Sequence, residues 1–450
     1  MGERMSGADA AWLHMDRPTN RMIVNFLLRF AGQPDWDAVQ AAVQERLVEP
    51  YPRLRQRVTE PVVSMPPISV PQWVAATDFR LENHLRRVRL PAGDDRALLD
   101  YVESQVSEAL DPGLPLWQLH CIDSDQQGSA LLLRTHHALG DGTALIHALL
   151  ALSDPDDGPL QGPAAVTALP SDAPAGPPGY RSALTSASGF AAALPRAIFG
   201  DARSRETVTA GFHSLRELAT VRQDRQLVLR EELGLQKSLA RCAPVGLDVL
   251  KCAAQKEGVT VNDVLLSVVS AAFGAYLRER GGDVAEIVAM LPVNIRPMDT
   301  PLPRCWGNRF GLVYPVLPVG VMSRRDRVAA VHTAMQEVKR AQQAHVVFSW
   351  LSSVGYTHRW VENLLIDSYA GMGSMIISNV TGPRRQMSIA GTPVASLLFW
   401  VPTSGPVGIG VSMISYAGEI TLGLMVDQAL VPDVDRLRTL MNEELGALAA

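Results

Sequence analysis

The stretch Leu131-Leu132-Leu133-Arg134-Thr135-His136-His137-Ala138-Leu139-Gly140-Asp141-Gly142 constrains this 450-residue chain more than any other. Three consecutive leucines leading to two adjacent histidines read as a buried strand that ends at a polar site. Gly140-Asp141-Gly142 then forces a turn, and Thr143 to Leu150 resumes with the spacing of a helix packed on one side. A strand, a glycine turn and a helix in that order belong to the α/β class. A side chain at the end of a buried strand is held rigidly while still facing a cleft.

Neutral imidazole accepts and returns a proton near neutral pH, which makes both histidines candidate bases. Successive strand side chains point to opposite faces, so only one of the pair can face a given cleft. One of the two then faces the cleft, and the other points back into the protein and is satisfied there. Asp141 lies four residues past His137 inside the turn, where a carboxylate braces the loop or binds an arginine. His-His-x-x-x-Asp-Gly is far more specific than a lone histidine.

Only 19% of the residues are charged and nearly half are hydrophobic, so a large core is within reach. The net charge of −5 and the lack of a long Lys/Arg run disfavour nucleic acid as a partner. Cys121, Cys242, Cys252 and Cys305 are scattered, with neither metal-ligand nor disulfide-framework spacing, so no metal is expected. No apolar stretch follows Met-Gly-Glu-Arg at the start, which speaks against a secretory signal and for a cytoplasmic protein. The most apolar helical run, Val264 to Leu277, falls short of the roughly 20 residues a bilayer span needs.

Along the chain, a short helix is expected around Asp9 to Met15, a strand over Met22 to Phe30, and an amphipathic helix over Asp37 to Val48. A helix over 96–110 ends at Asp111-Pro112-Gly113, and Pro115-Leu116-Trp117 opens a strand. Between Ser153 and Gly179 the composition turns Pro/Gly-rich, the mark of a flexible linker. This divides the chain into an N-terminal domain (1–152), a linker (153–180) and a C-terminal domain (181–450). Tyr180 to Arg222, with Arg196, Arg203 and Arg205, has two readings: an interfacial helix on a membrane, or a cover for the groove between the domains. Later come a helix capped by Thr260 or Asn262, strands over Ile287 to Arg296 and Phe310 to Leu317, and a surface helix over 324–343. A strand from Met375 runs into a turn at Gly382-Pro383. Strands 397–401, 408–416 and 419–426 form the C-terminal sheet.

His136 to Gly142 resembles the signature of the CoA-dependent acyltransferase superfamily. Within it the chain resembles the bacterial and plant wax ester synthase/diacylglycerol acyltransferase family. The narrower resemblance rests on further stretches in order: Met5-Ser-Gly-Ala-Asp-Ala-Ala-Trp12, Pro115-Leu116-Trp117, Val261-Asn262-Asp263-Val264, Gly307-Asn308-Arg309, Ser378-Asn379-Val380-Thr381-Gly382-Pro383 and Ser415-Tyr416-Ala417-Gly418. Thr381 stands where the family carries proline.

The resemblance implies a two-domain, chloramphenicol acetyltransferase-like α/β fold with a channel between the domains. Acyl-CoA is then the co-substrate, with no further cofactor, and diacylglycerol or a long-chain alcohol is the acceptor. Contact with a membrane or lipid droplet is a further possibility. His137 would act as general base, with His136 and Asp141 beside it. Asn262, Trp117, Asn379 and Gly142 would line the substrate path, although core packing is the stronger reading of Trp117 and helix capping is compatible with a site role for Asn262. Arg55 corresponds to the arginine that pairs with the signature aspartate in condensation domains, and Arg296 is the other candidate. Two rival functions stand beside this one: transfer to a polyketide, sugar or amine, and a non-enzymatic lipid carrier.

Overall fold

The computed structural model describes residues 2–60, 71–90, 95–124, 128–155, 232–296, 306–340, 343–355 and 359–448. Most of the expected linker, the whole of 180–222 and Cys305 lie outside the described residues.

Two sheets carry the architecture. The first has six strands in the order Ser388–Ile389, Thr392–Trp400, Ile23–Phe30, Ala130–His136, Trp117–Ser124 and Leu85–Leu90. Ala130–His136 is buried at every position, as its continuous apolar run requires of a strand covered on both faces. The second sheet has eight strands. Its main path runs Phe310–Val313, Glu286–Asn294, Met375–Thr381, Ile409–Tyr416, Glu419–Asp427 and Lys237–Arg241. Val316–Pro318 and Val245–Gly246 pair onto its sides. A three-stranded sheet of Glu3–Arg4, Gln72–Ala75 and Gln56–Thr59 stands apart.

The strand Thr392–Trp400 corrects the expectation that 397–401 belongs with the C-terminal strands. It pairs antiparallel with Ile23–Phe30, so the first sheet takes two of its strands from the far end of the chain. Leu397 and Phe399 are buried there, and the Phe399 ring stacks on Phe26 at 5.1 Å. Alternation marks a strand but carries no information about its partner.

The run 310–317 is likewise two strands rather than one. Phe310–Val313 and Val316–Pro318 pair with successive parts of Glu286–Asn294, interrupted at Tyr314-Pro315. Pro315 has no N–H to give the ladder, but its carbonyl accepts from Ala289 at 3.1 Å. The helix expected over Asp37 to Val48 is α-helical at Trp36–Val43 and continues as a wider π-turn over Gln44–Val48.

Val261–Glu279 is long and apolar enough to cross a bilayer by composition, yet 83% of its apolar window is buried inside the protein. It is a core helix. Thr260, not Asn262, caps it: Thr260 Oγ1 accepts from the Asp263 N–H at 3.2 Å, and Asp263 returns the bond to the Thr260 N–H at 3.1 Å. Such reciprocal bonds satisfy two otherwise unpaired donors. That frees the Asn262 side chain for other contacts. The turn Ala417-Gly418 has both residues at positive φ (48° and 89°), which joins Ile409–Tyr416 to Glu419–Asp427 in register.

The two halves share one core. Trp12, Leu131, Ala138 and Leu145 pack in the same cluster as Trp306, Phe310, Ile376 and Phe399. A second cluster lies wholly within the C-terminal half, around Phe273, Tyr276 and Leu422.

Candidate active site

At the end of the strand Ala130–His136 the ladder itself sets the two histidines apart. The His136 N–H donates to Leu116 O at 3.0 Å on one side, and the His137 N–H donates to Met22 O at 2.7 Å on the other. Both side chains are buried, and alternation sends them to different surroundings. His136 Nδ1 accepts the Ala138 N–H at 3.1 Å, and its Nε2 lies 3.9 Å from Asp16 Oδ1. Burial pushes its pKa down to about 4, against the opposing pull of Asp16. This ring ties the turn to the loop before Ile23–Phe30.

His137 meets quite different partners. Its ring stacks on Trp12 (centroids 4.5 Å apart, planes 19° off parallel) and tilts against Phe310 at 5.4 Å. Its Nδ1 lies 3.0 Å from Asn308 Oδ1. Burial lowers its pKa, while the Asp141 charge and the Asn308 contact work in the opposite direction. The ring is therefore neutral at physiological pH, the state a general base requires.

Asp141 is the N-cap of the helix Gly142–Leu152: its Oδ1 accepts from the Ala144 N–H at 3.1 Å. Such a cap is worth about 1 kcal/mol. Its Oδ2 accepts the Arg309 N–H at 2.9 Å and an N–H from Arg296. The second Arg296 amino group donates to Gly307 O. Arg296 is thus the partner of Asp141, and the expectation for Arg55 is corrected. Arg55 is exposed, and its Nη2 reaches Glu49 O at 3.4 Å. Arg55 ends a one-turn helix that packs on the outside of the N-terminal half, whereas Arg296 follows a strand that ends beside the turn.

Gly142 is small because a neighbouring strand comes close. A Cβ there would lie 3.2 Å from Val380 Cγ2 on Met375–Thr381. Asn379, next to Val380, donates through Nδ2 to Asn262 Oδ1 at 3.1 Å. The two asparagines named by sequence are therefore joined, one strand residue away from the Gly142 contact. Trp117 is a packing anchor. Its indole N–H donates to Leu54 O at 2.9 Å, its ring stacks on His84 at 4.4 Å, and the whole side chain is buried. These contacts are the packing role that the sequence also offers for Trp117.

Three residues absent from the candidate set prove central to the geometry around His137: Asn308, Asp9 and Trp12. Asp9 and Trp12 stand three apart on the helix Gly7–His14, hence on one face. Asn308 and Phe310 stand two apart on an extended segment, hence on one side. Both pairs belong to stretches singled out for their resemblance, and the spacings were the available signal. Nothing local in the sequence brings residue 9 to residue 308.

Comparison with known proteins places this arrangement. Residues 5–265 match the wax ester synthase/diacylglycerol acyltransferase catalytic domain, and residues 306–449 match the WS/DGAT C-terminal domain. A probable diacylglycerol O-acyltransferase of Mycobacterium tuberculosis H37Rv is 26% identical over 430 residues, covering 93% of this chain and 89% of its own. Among solved structures, a wax ester synthase/diacylglycerol acyltransferase from Marinobacter aquaeolei VT8 has the same fold. Its TM-score is 0.68 at 20% identity, and the likeness covers 99% of this chain and 98% of that one. The first condensation domain of the CDA synthetase follows with a TM-score of 0.58 at 16% identity, covering 100% and 97%. The chain belongs to the wax ester synthase/diacylglycerol acyltransferase family and is an acyltransferase.

Proposed function

We propose that the protein transfers an acyl group from acyl-CoA to the hydroxyl of diacylglycerol or of a long-chain alcohol, with His137 as general base. The observation that carries this is a neutral, buried imidazole held between Trp12, Phe310 and Asn308 at the end of a strand. As the acceptor oxygen attacks the thioester carbonyl, its proton passes to the imidazole. The tetrahedral intermediate then collapses, the carbon–sulfur bond breaks, and the imidazolium returns the proton to the departing CoA thiolate. General base catalysis of this kind contributes about 10²–10⁴-fold, and orientation of the two substrates supplies much of the remainder.

Direct transfer suits the two buried cysteines. Burial pushes the thiols of Cys121 and Cys242 up to about 12, away from the thiolate that a covalent route would need. Both acceptor classes reside in lipid, so the reaction belongs where the protein meets a membrane or droplet surface.

The test is thiol release from palmitoyl-CoA by the full chain with diacylglycerol, with hexadecanol and without acceptor, beside His137→Gln. Acceptor-dependent release that the variant lacks is the expected result. Near-normal turnover by the variant would remove His137 from the mechanism. Release with an amine or sugar but with neither lipid would move the function to another acceptor.

A further inference from the structure

Asn308 reaches the site from the C-terminal half and grips His137 at two points. Its Oδ1 lies 3.0 Å from His137 Nδ1, and its Nδ2 donates to the His137 carbonyl at 2.8 Å. The same Nδ2 donates to Asp9 Oδ1 at 2.8 Å, and that oxygen also accepts the Asn308 backbone N–H at 2.9 Å. The amide is therefore not free to turn over. Reversed, it would set its oxygen against a carbonyl and a carboxylate, all three of them acceptors. The other Asp9 oxygen is taken by Ser6 Oγ at 2.6 Å, so Oδ1 stays available to Asn308.

With the amide oriented this way, an oxygen faces Nδ1 of His137. An amide oxygen only accepts, so the ring nitrogen opposite must carry the proton. Nε2 is then the nitrogen with the free lone pair. A neutral ring released from this acceptor divides between two tautomers, only one of which has its lone pair on Nε2.

We propose that Asn308, oriented by Asp9, is a positioning residue that holds His137 as the Nδ1–H tautomer and leaves Nε2 to take the acceptor's proton. This rests on His137 being the base. It adds that the base is complete only when the N-terminal helix, the strand end and the 306–310 segment of the other half are docked together. The helix Gly7–His14 serves twice, Asp9 setting the amide and Trp12 lying flat against the ring.

The experiment is nitrogen NMR of the full chain labelled with ¹⁵N-histidine, at a pH where the ring is neutral. The His137 signals are identified by their loss in His137→Gln. Wild-type protein should show a protonated Nδ1 and an unprotonated Nε2. Asn308→Leu should show averaging between tautomers, with kcat down roughly 10–10³-fold and KM for acyl-CoA little changed. Asp9→Leu should act in the same direction, whereas Asp9→Asn, which keeps an acceptor in place, should retain the wild-type tautomer and most of kcat. The Asp9 pair decides the matter if Asn308→Leu fails to fold. A protonated Nε2 in the wild type, or a single Nδ1–H tautomer with unchanged kcat in both leucine variants, would overturn the proposal. If His137→Gln keeps its turnover, the base assignment falls while the tautomer result still judges Asn308.

Discussion

Two strand ends approach each other where Gly142 meets Val380, and they carry opposite chemistry. Ala130–His136 ends in titratable groups, with His136, His137 and Asp141 within six residues. Met375–Thr381 and the neighbouring helix Val261–Glu279 contribute Asn379 and Asn262, which hydrogen-bond each other and do not titrate. The N-terminal half thus brings the proposed base, and the C-terminal half brings neutral amides and the anchors that hold it. Asn308 is part of the second set. Burial is what lowers the His137 pKa, and it outweighs the opposite pull of the Asp141 charge and of the Asn308 contact.

The comparison makes its largest claim at His137. His137→Ala should cost about 10²–10⁴-fold in kcat/KM with the fold retained, as far-UV circular dichroism would show. An equal loss from Asn262→Ala would erase the difference between the two ends.

Next comes the anchor between the halves. Asp141 and Arg296 are both buried, and removing one member of such a pair leaves an uncompensated charge costing about 3–5 kcal/mol. Arg296→Leu should therefore lower unfolding stability by that order in urea titrations. Arg55→Leu, on the exposed turn, should stay within about 0.5 kcal/mol. The reverse ranking would restore Arg55 as the partner.

A pH series sharpens the contrast further. Burial lowers the pKa of both histidines, His136 to about 4. The active, neutral form of His137 should persist below pH 6.5, so kcat/KM at pH 6.5 should remain above half its plateau value. Between the folded values and 6.5 the unfolded chain binds more protons than the native one. Stability should therefore fall as pH drops through that window, an effect absent above about pH 7. An acid limb centred at or above 6.5 would contradict the burial argument.

The smallest effect belongs to the amide pair. Asn379→Ala removes one neutral hydrogen bond, worth about 0.5–1.5 kcal/mol, so the rate should change by about tenfold or less. A loss comparable to that of His137→Ala would give the C-terminal strand end a direct part in the chemistry.

Much of this was legible in advance. The strand-turn-helix around His136 and His137 follows from a leucine run, two glycines and an apolar helical repeat, all local features. Thr260 and Asn262 were both sound caps, and Thr260 takes the role because Asp263 three residues on completes the reciprocal pair of bonds. The strand Thr392–Trp400 shows the limit of local reasoning: its apolar run was visible, but its pairing with Ile23–Phe30 spans most of the chain.

The sequence by itself determined most of the elements, the signature and the family, because these depend on residue order and short-range spacing. Tertiary structure alone decided that Arg296 and not Arg55 holds Asp141, that Trp117 fills the core, and that Asp9 and Asn308 meet at His137. Those outcomes depend on distances between residues hundreds of positions apart. Close packing sets such distances, and no periodicity in the chain encodes them.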